Sequence, residues 1–372
     1  MLPCIERLRN RLEYLRHSGW MLAALGVFVV QNHCGVPGVA HDQLAAHFLD
    51  RGQDARALRE AQRAIRESPD DPTPRVIASL ALAGLGQTEA AATAVERALE
   101  LDLDDPRLYG TLRSICIDAD REDLALEALQ RLVAERPGHW LLTLNLGWAH
   151  RAVGDDEQAL LLLESAVANP DSAAPTEDLI LAHFELSRVY AAQERLDDAR
   201  RVLGDALHYA PHDPRLLVAS GELHLRLQQP KEAEAFFEQA VAHSDAPGIT
   251  ASRIAMAFYN AGDRSRSILF YERAIMEHPE PLTLNNLAWT YAEADLNLDR
   301  AHELSLRAVK TDADNVVFLD TYAEVLFRKG RTPQAVAVIR RCIELEPEDG
   351  EHYHYLREQL KRFHPASSDS VL

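Results

Sequence analysis

The chain has 372 residues, a formal net charge of −19 and an aromatic content of only 6%. Residues 1–40 hold four arginines against two glutamates, a net +2, which leaves −21 on the remainder. A body this acidic repels phosphate, which excludes a nucleic-acid or anionic-lipid surface on it. The length allows two ordinary domains or one elongated array. Ala, Leu, Glu and Arg dominate and no strand-length β-branched run recurs, so the chain reads as all-α.

Residues 1–40 read as a signal peptide or N-terminal membrane anchor. Arginines end at Arg16, the apolar run Trp20–Val30 follows, and Gly38 and Ala40 stand at an A-x-A-like place. Cleavage after Ala40 would export the body. The charge-free window from Ser18 to Ala40 is also long enough to stay as an anchor, although Gln31, Asn32, His33 and Pro37 interrupt it. In both readings the arginines remain on the cytoplasmic side and the body lies periplasmic or otherwise outside the cytoplasm. The third alternative is a cytoplasmic protein with an apolar first helix. The residues before Cys34, "QNHC", are not a lipidation box.

From residue 41 onward small residues recur with a fixed step. Ala57, Ala91, Ala125 and Ala159 are spaced by 34; after six extra residues Ala199, Ala233, Ser267, Ala301 and Ala335 continue the same step. Seven places later stand Ala64, Ala98, Leu132, Ala166, Ala206, Ala240, Ala274, Ala308 and Cys342. Twelve places earlier stand Ala45, Ser79, Arg113, Gly147, Ser187, Gly221, Ala255 and Ala323, with Ala288 one place early in the eighth unit. Small residues at fixed places let two helices approach closely. Larger ones, Phe48, Tyr190, Phe258 and Tyr291 on the first helix and Phe237 and Tyr271 on the second, fill the remaining gap. Gly52, Gly86, Gly154, Gly262 and Gly330 read as left-handed ends of first helices. Pro69, Pro137, Pro211, Pro279 and Pro347 read as the ends of second helices.

A 34-residue helix pair with small residues at these places resembles the tetratricopeptide repeat. The resemblance implies a right-handed α-solenoid of about nine antiparallel helix-pair repeats over residues 41–349. The repeats start near Gly38, Thr73, Pro106, Trp140, Ile180, Pro214, Gly248, Pro281 and Val316. A capping helix over 350–364 follows, with Tyr353, Leu356, Leu360 and Phe363 on one stripe, and then a disordered tail over 365–372. The pattern departs in three places. Arg113 replaces a small residue in the third unit, one residue is added in "EADLNLD", and six are added near 170–179. The last insert, with Pro170 and Pro175, reads either as a surface bulge or as a soft joint between units one to four and five to nine.

In tetratricopeptide arrays the first helices line a concave face, and the resemblance implies a partner-binding groove there. Its stripe reads Trp148 and Arg151, then Phe184 and Arg188, then Tyr259, then Asn285 and Trp289, with Asp320, Glu324 and Phe327 in the ninth unit. Aromatic and arginine side chains in a desolvated concave site are the usual carriers of binding energy. The Lys/Asn/Lys/Arg clamp by which some members hold a terminal carboxylate has no counterpart in three consecutive units.

Chemistry is not legible. No CxxC pair occurs, "HELSL" at His302 lacks a second histidine, Pro211 separates His208 from His212, and no phosphate loop or nucleophile elbow is present. No catalytic residue, metal or cofactor is expected. The reading is a non-catalytic protein-interaction scaffold. "LNNLAW" and "NVVFLDTYAEVLFRKGRTPQAV" also resemble units of bacterial envelope repeat proteins tied to exopolysaccharide assembly. The alternative is a glycan-binding module of such a system, with polysaccharide stacked on Trp148, Tyr259 and Trp289.

Overall fold

The computed structural model describes residues 40–171, 176–347, 350 and 352–364. The expected targeting segment, the middle of the insert (172–175) and the C-terminal tail lie outside the described residues. Nineteen helices and no strand make up the described residues. None of these helices is long and apolar enough to cross a membrane. The chain divides into two compact units at residues 210 and 211.

The first unit holds α1 (His41–Leu49), α2 (Asp54–Glu67), α3 (Thr73–Gly84), α4 (Thr88–Leu101), α5 (Pro106–Asp118), α6 (Glu122–Glu135), α7 (Trp140–Ala152), α8 (Asp156–Ala168), α9 (Thr176–Ala192) and α10 (Leu196–Tyr209). The second holds α11 (Pro214–Arg226), α12 (Pro230–His243), α13 (Pro247–Asn260), α14 (Arg264–Glu277), α15 (Pro281–Glu293), α16 (Leu298–Thr311), α17 (Val316–Arg328), α18 (Thr332–Leu345) and α19 (Tyr353–Phe363). Within each unit consecutive helices pack on one another as solenoid pairs.

The small-residue grid is the contact between the helices of each pair. Ala57, Ala91, Ala125, Ala159, Ala233, Ala301 and Ala335 are fully buried, as are Ser79, Ala255, Ala288 and Ala323 on the facing helices. At Gly147 even a methyl group would sit 2.8 Å from Leu163 Cγ, so the α7–α8 approach requires glycine. In the second unit Phe237 and Phe258 fill the wider end of the gap, their rings edge to face at 5.2 Å.

All nine first helices end in the same way. A left-handed residue follows each, at Gly52, Gly86, Asp120, Gly154, Glu194, Gln228, Gly262, Asp295 and Gly330. The amide one place later then donates back to the helix, as Gln87 N does to Leu82 O at 2.9 Å and Arg195 N to Tyr190 O at 2.9 Å. Four of the nine carry a side chain where the backbone favours none. The extra residue of the eighth repeat is absorbed here: Asn297 is also left-handed, and its side chain accepts from Arg300 N at 3.3 Å.

The insert before α9 does not part the array, because α8 and α9 fall in one compact unit and pack together. Tyr190 donates its hydroxyl to Glu164 at 2.6 Å across that step. Ion pairs tie second helices to their neighbours about one repeat away. Arg131 reaches Glu96 at 2.6 Å in the first unit; in the second, Arg266 reaches Glu234 at 2.8 Å and Arg273 reaches Glu238 at 2.6 Å.

Candidate functional site

In the first unit the first helices α5, α7 and α9 gather arginine and aromatic side chains around one buried carboxylate. Glu185 of α9 is only 4% exposed. Arg151 of α7 donates Nε to it at 2.6 Å, and Arg188, one helical turn further on α9, lies 4.0 Å from its other oxygen. Arg113 of α5 donates to Asn145 Oδ1 and sets its guanidinium 5.9 Å from the Trp148 ring centre. Arg188 lies over Phe184 in the same manner at 5.8 Å. Burial pushes the Glu185 carboxyl up, but Arg151, Arg188 and Arg113 together outweigh burial and hold it below its ordinary value. Asp178, in the first turn of α9, lies at the edge of this cluster. Burial raises its carboxyl against the pull of Arg113, and its Oδ2 is buried without a hydrogen-bond partner.

In the second unit α13 and α15 form a hydrogen-bonded chain. Trp289 donates its indole N–H to the Tyr259 hydroxyl at 2.8 Å. That hydroxyl bonds in turn to Glu293, which accepts Arg264 Nε at 2.9 Å. Arg264 also lies over the Tyr259 ring, 3.9 Å from its centre. Burial first, then the Glu293 bond, pushes the phenol up to about 12, so it stays a neutral donor. One turn before Trp289, Asn285 is 3% exposed and its Oδ1 has no hydrogen-bond partner.

At the end of the second unit α19 covers the ninth first helix. Tyr355 donates to Asp320 at 3.3 Å, Arg362 pairs with Glu324, and Phe363 stacks on Phe327 at 4.6 Å. Leu356 and Phe363 are buried, and Tyr353 and Leu360 are half-buried. Asp320, Glu324 and Phe327 are therefore seats for the capping helix.

The seven expected groove residues divide by burial. Phe184, Arg188, Tyr259 and Trp289 keep accessible surface, and Arg151 retains a little. Trp148 and Asn285 are 3% exposed, so neither presents a binding surface. Trp148 is closed over because Arg113 lies on its ring. Arg113, Asn145 and Glu185 were not in the expected stripe. The signal for Arg113 was present: it is the residue that breaks the small-residue grid of the third unit. Among the described residues no group of three or more metal-ligating side chains occurs. The buried thiols of Cys116 and Cys342 are pushed up to about 12 by burial and are unreactive as they stand.

Comparison with known proteins agrees with this architecture. Tetratricopeptide repeat family models match residues 118–174 and 190–248. With the helix pairs of the fold, these matches support a tetratricopeptide repeat protein. The tetratricopeptide repeat protein 21B of Mus musculus is 24% identical over 246 residues, which is 55% of this chain and 18% of that protein. Among solved structures, a tetratricopeptide repeat protein from Parabacteroides merdae has a TM-score of 0.47 at 16% identity, covering 68% of this chain and 99% of that one. The APC/C hetero-tetramer Cut9–Hcn1 gives 0.47 at 15% identity, over 83% of this chain and 58% of that one. YrrB, a tetratricopeptide repeat protein with an unusual peptide-binding site, gives 0.35 at 20% identity, over 52% and 97%.

Proposed function

We propose that the chain is a non-catalytic scaffold that holds a protein partner on the first-helix faces of its repeats. The observation that carries this reading is the cluster of Arg113, Arg151, Arg188 and Glu185. Helix pairing is already complete through the alanine grid, and a buried ion pair adds little stability over an apolar one of similar volume. A charged cluster on the first-helix face is therefore better explained by recognition than by folding. A photo-crosslinking residue at Phe184 should trap a partner in cells producing the protein, whereas one at Leu161, exposed on the second helix α8, should not. Crosslinks from Leu161 alone would end this reading.

The finer reading is an exported scaffold, periplasmic or membrane-anchored, in envelope, secretion or exopolysaccharide assembly. It is supported by Arg16, the Trp20–Val30 run, Gly38 and Ala40, and by the "LNNLAW" unit. Recovery of the protein from soluble cytoplasm with Met1 retained would end it. Direct binding of polysaccharide is the weaker alternative: of the three rings available for stacking on sugars, Trp148 is closed over by Arg113.

A further inference from the structure

We propose that the first unit carries a second docking site, a cleft between the second helices α4 and α6 that takes a lysine side chain of a protein partner. The inference goes beyond the first-helix reading, because it concerns the other helix of each pair. The cleft has a volume of about 320 Å³, at the lower end of the range for ligand sites. Ala92, Leu124 and Ala128 form its floor, and both alanines are buried. Glu89, Glu96, Glu127, Arg121 and Arg131 stand around it.

The repeat explains why the space is there. Counted from the small-residue grid, Ala92, Leu124 and Ala128 hold the places that Glu234, Arg266 and Phe270 hold in α12 and α14. In the second unit Phe270 is fully buried and Arg266 bonds Glu234 at 2.8 Å, so that gap is filled. In the first unit the same gap is bounded by two methyl groups and one leucine, and it stays open. An open apolar floor in an otherwise complete helix contact is room for a guest side chain.

The rim decides the charge of that guest. Four carboxylates, Glu89, Glu96, Asp123 and Glu127, stand against two guanidiniums, Arg121 and Arg131. Arg131 bonds Glu96 twice, at 2.6 and 2.9 Å, and Arg121 bonds Asp123 at 2.9 Å. Glu127 is left 3.9 Å from Arg131 and Glu89 3.6 Å from Arg121, farther than a hydrogen bond reaches. Both of these carboxylates are open to solvent, and each comes from a different helix. The cleft therefore has a surplus of negative charge shared between two separate groups. A lysine matches this better than an arginine. Its ammonium is a compact charge with three donors that can turn toward two carboxylates, whereas a guanidinium is shaped for one. Its methylenes would lie on Leu124 and the two alanines while the charged end stays at the rim. The body around the cleft carries −21, which draws a basic segment in.

The test uses the full chain and three labelled peptides of equal length, alternating lysine, arginine or glutamine with glycine. Fluorescence anisotropy should show the lysine peptide binding most tightly, more weakly as salt rises, and the glutamine peptide not binding. Any basic peptide is drawn to an acidic protein, so two double variants of equal charge separate the cleft from the general field. Glu89→Gln with Glu127→Gln should weaken the lysine peptide about tenfold, and Glu232→Gln with Glu344→Gln, exposed on α12 and α18, about twofold or less. Ala128→Phe copies Phe270, fills the floor without changing the charge, and should also weaken binding, with circular dichroism to confirm folding. If that variant does not fold, the two double variants decide alone. Equal losses in the two double variants, or a folded Ala128→Phe that binds as before, overturn the proposal. So does tighter binding of the arginine peptide. Displacement by free lysine amide as effective as by the unlabelled peptide also overturns it, since that describes a site for a small amine.

Discussion

Trp289 gives its indole N–H to the hydroxyl of Tyr259, 2.8 Å away on the preceding first helix. This bond joins two repeats through side chains 30 residues apart. Replacing Tyr259 with Phe keeps the ring and removes the acceptor, and it also frees Glu293 from the phenol. The variant should lose about 0.5–1.5 kcal/mol of stability. Urea unfolding followed by Trp289 fluorescence would measure it, with a red shift as the indole gains water. An unchanged midpoint would mean that water already competes for this bond.

Overpacking the helix contact should act locally. Gly147→Val places atoms where even a methyl group would meet Leu163 at 2.8 Å, and should cost about 1–3 kcal/mol. Each repeat touches mainly its neighbours, so the damage should spread outward from α7 and α8. Hydrogen exchange is the measurement: faster exchange around residues 140–168, with α17 to α19 unaffected, is the expected pattern. Uniform acceleration across the chain would contradict it.

The left-handed corners offer a gain. Gln228 sits at φ 59°, a conformation that glycine adopts without a Cβ clash. Gln228→Gly should stabilise the second unit by roughly 0.5–1 kcal/mol, the relief of the clash exceeding the entropy that glycine adds to the unfolded chain. Thermal unfolding would register the shift; destabilisation would show that the Gln228 side chain contributes more than its backbone costs.

The capping helix should loosen as pH rises. Burial pushes the Asp320 carboxyl up to about 7, with Tyr355 and Arg362 opposing and Glu324 adding to the rise. Arg328 of α17, paired with Glu324, and the neutral Cys342 thiol of α18 complete its surroundings. The folded state thus holds a proton that the unfolded state releases at ordinary carboxylate pH. Stability is lost between about pH 4 and 7, at up to about 1.4 kcal/mol per pH unit, and the full cost is present above 7. Hydrogen exchange of α19 between pH 5 and 8, corrected for the intrinsic rate, should show this slope, and Asp320→Asn should flatten it. A slope that survives the substitution would assign it to another group.

Much of the fold was legible because it is repetitive. A step of 34 residues needs no knowledge of contacts, and the buried alanines from Ala57 to Ala335 follow it throughout. The groove residues were legible only in part. The stripe rule assigns Trp148 and Trp289 to the same place in their repeats, yet one is buried and the other half-exposed. The difference lies one repeat away, in Arg113, whose long side chain closes over Trp148. Periodicity describes a position within a repeat; it carries no information on what the neighbouring repeat lays over it. The four non-glycine corners were hidden for a related reason. At Asp120, Glu194, Gln228 and Asp295 the pair geometry imposes the turn and the residue accepts the strain.

The ion pairs one period apart, Glu96 with Arg131, Arg151 with Glu185, Glu234 with Arg266 and Glu238 with Arg273, have a consequence for the order of the repeats. The alanine grid is nearly the same in every unit, so as far as the core is concerned the units are interchangeable parts. The charges are not. Pairs that water still reaches, as all of these but Arg151–Glu185 are, add little stability individually, but a repeat moved to a new position would lose its matched charges. They act as addresses written on shared hardware. A chain with two internal repeats exchanged should still stack its helices, but with mismatched neighbours, and gene rearrangements within such an array would be filtered at the surface and not in the core.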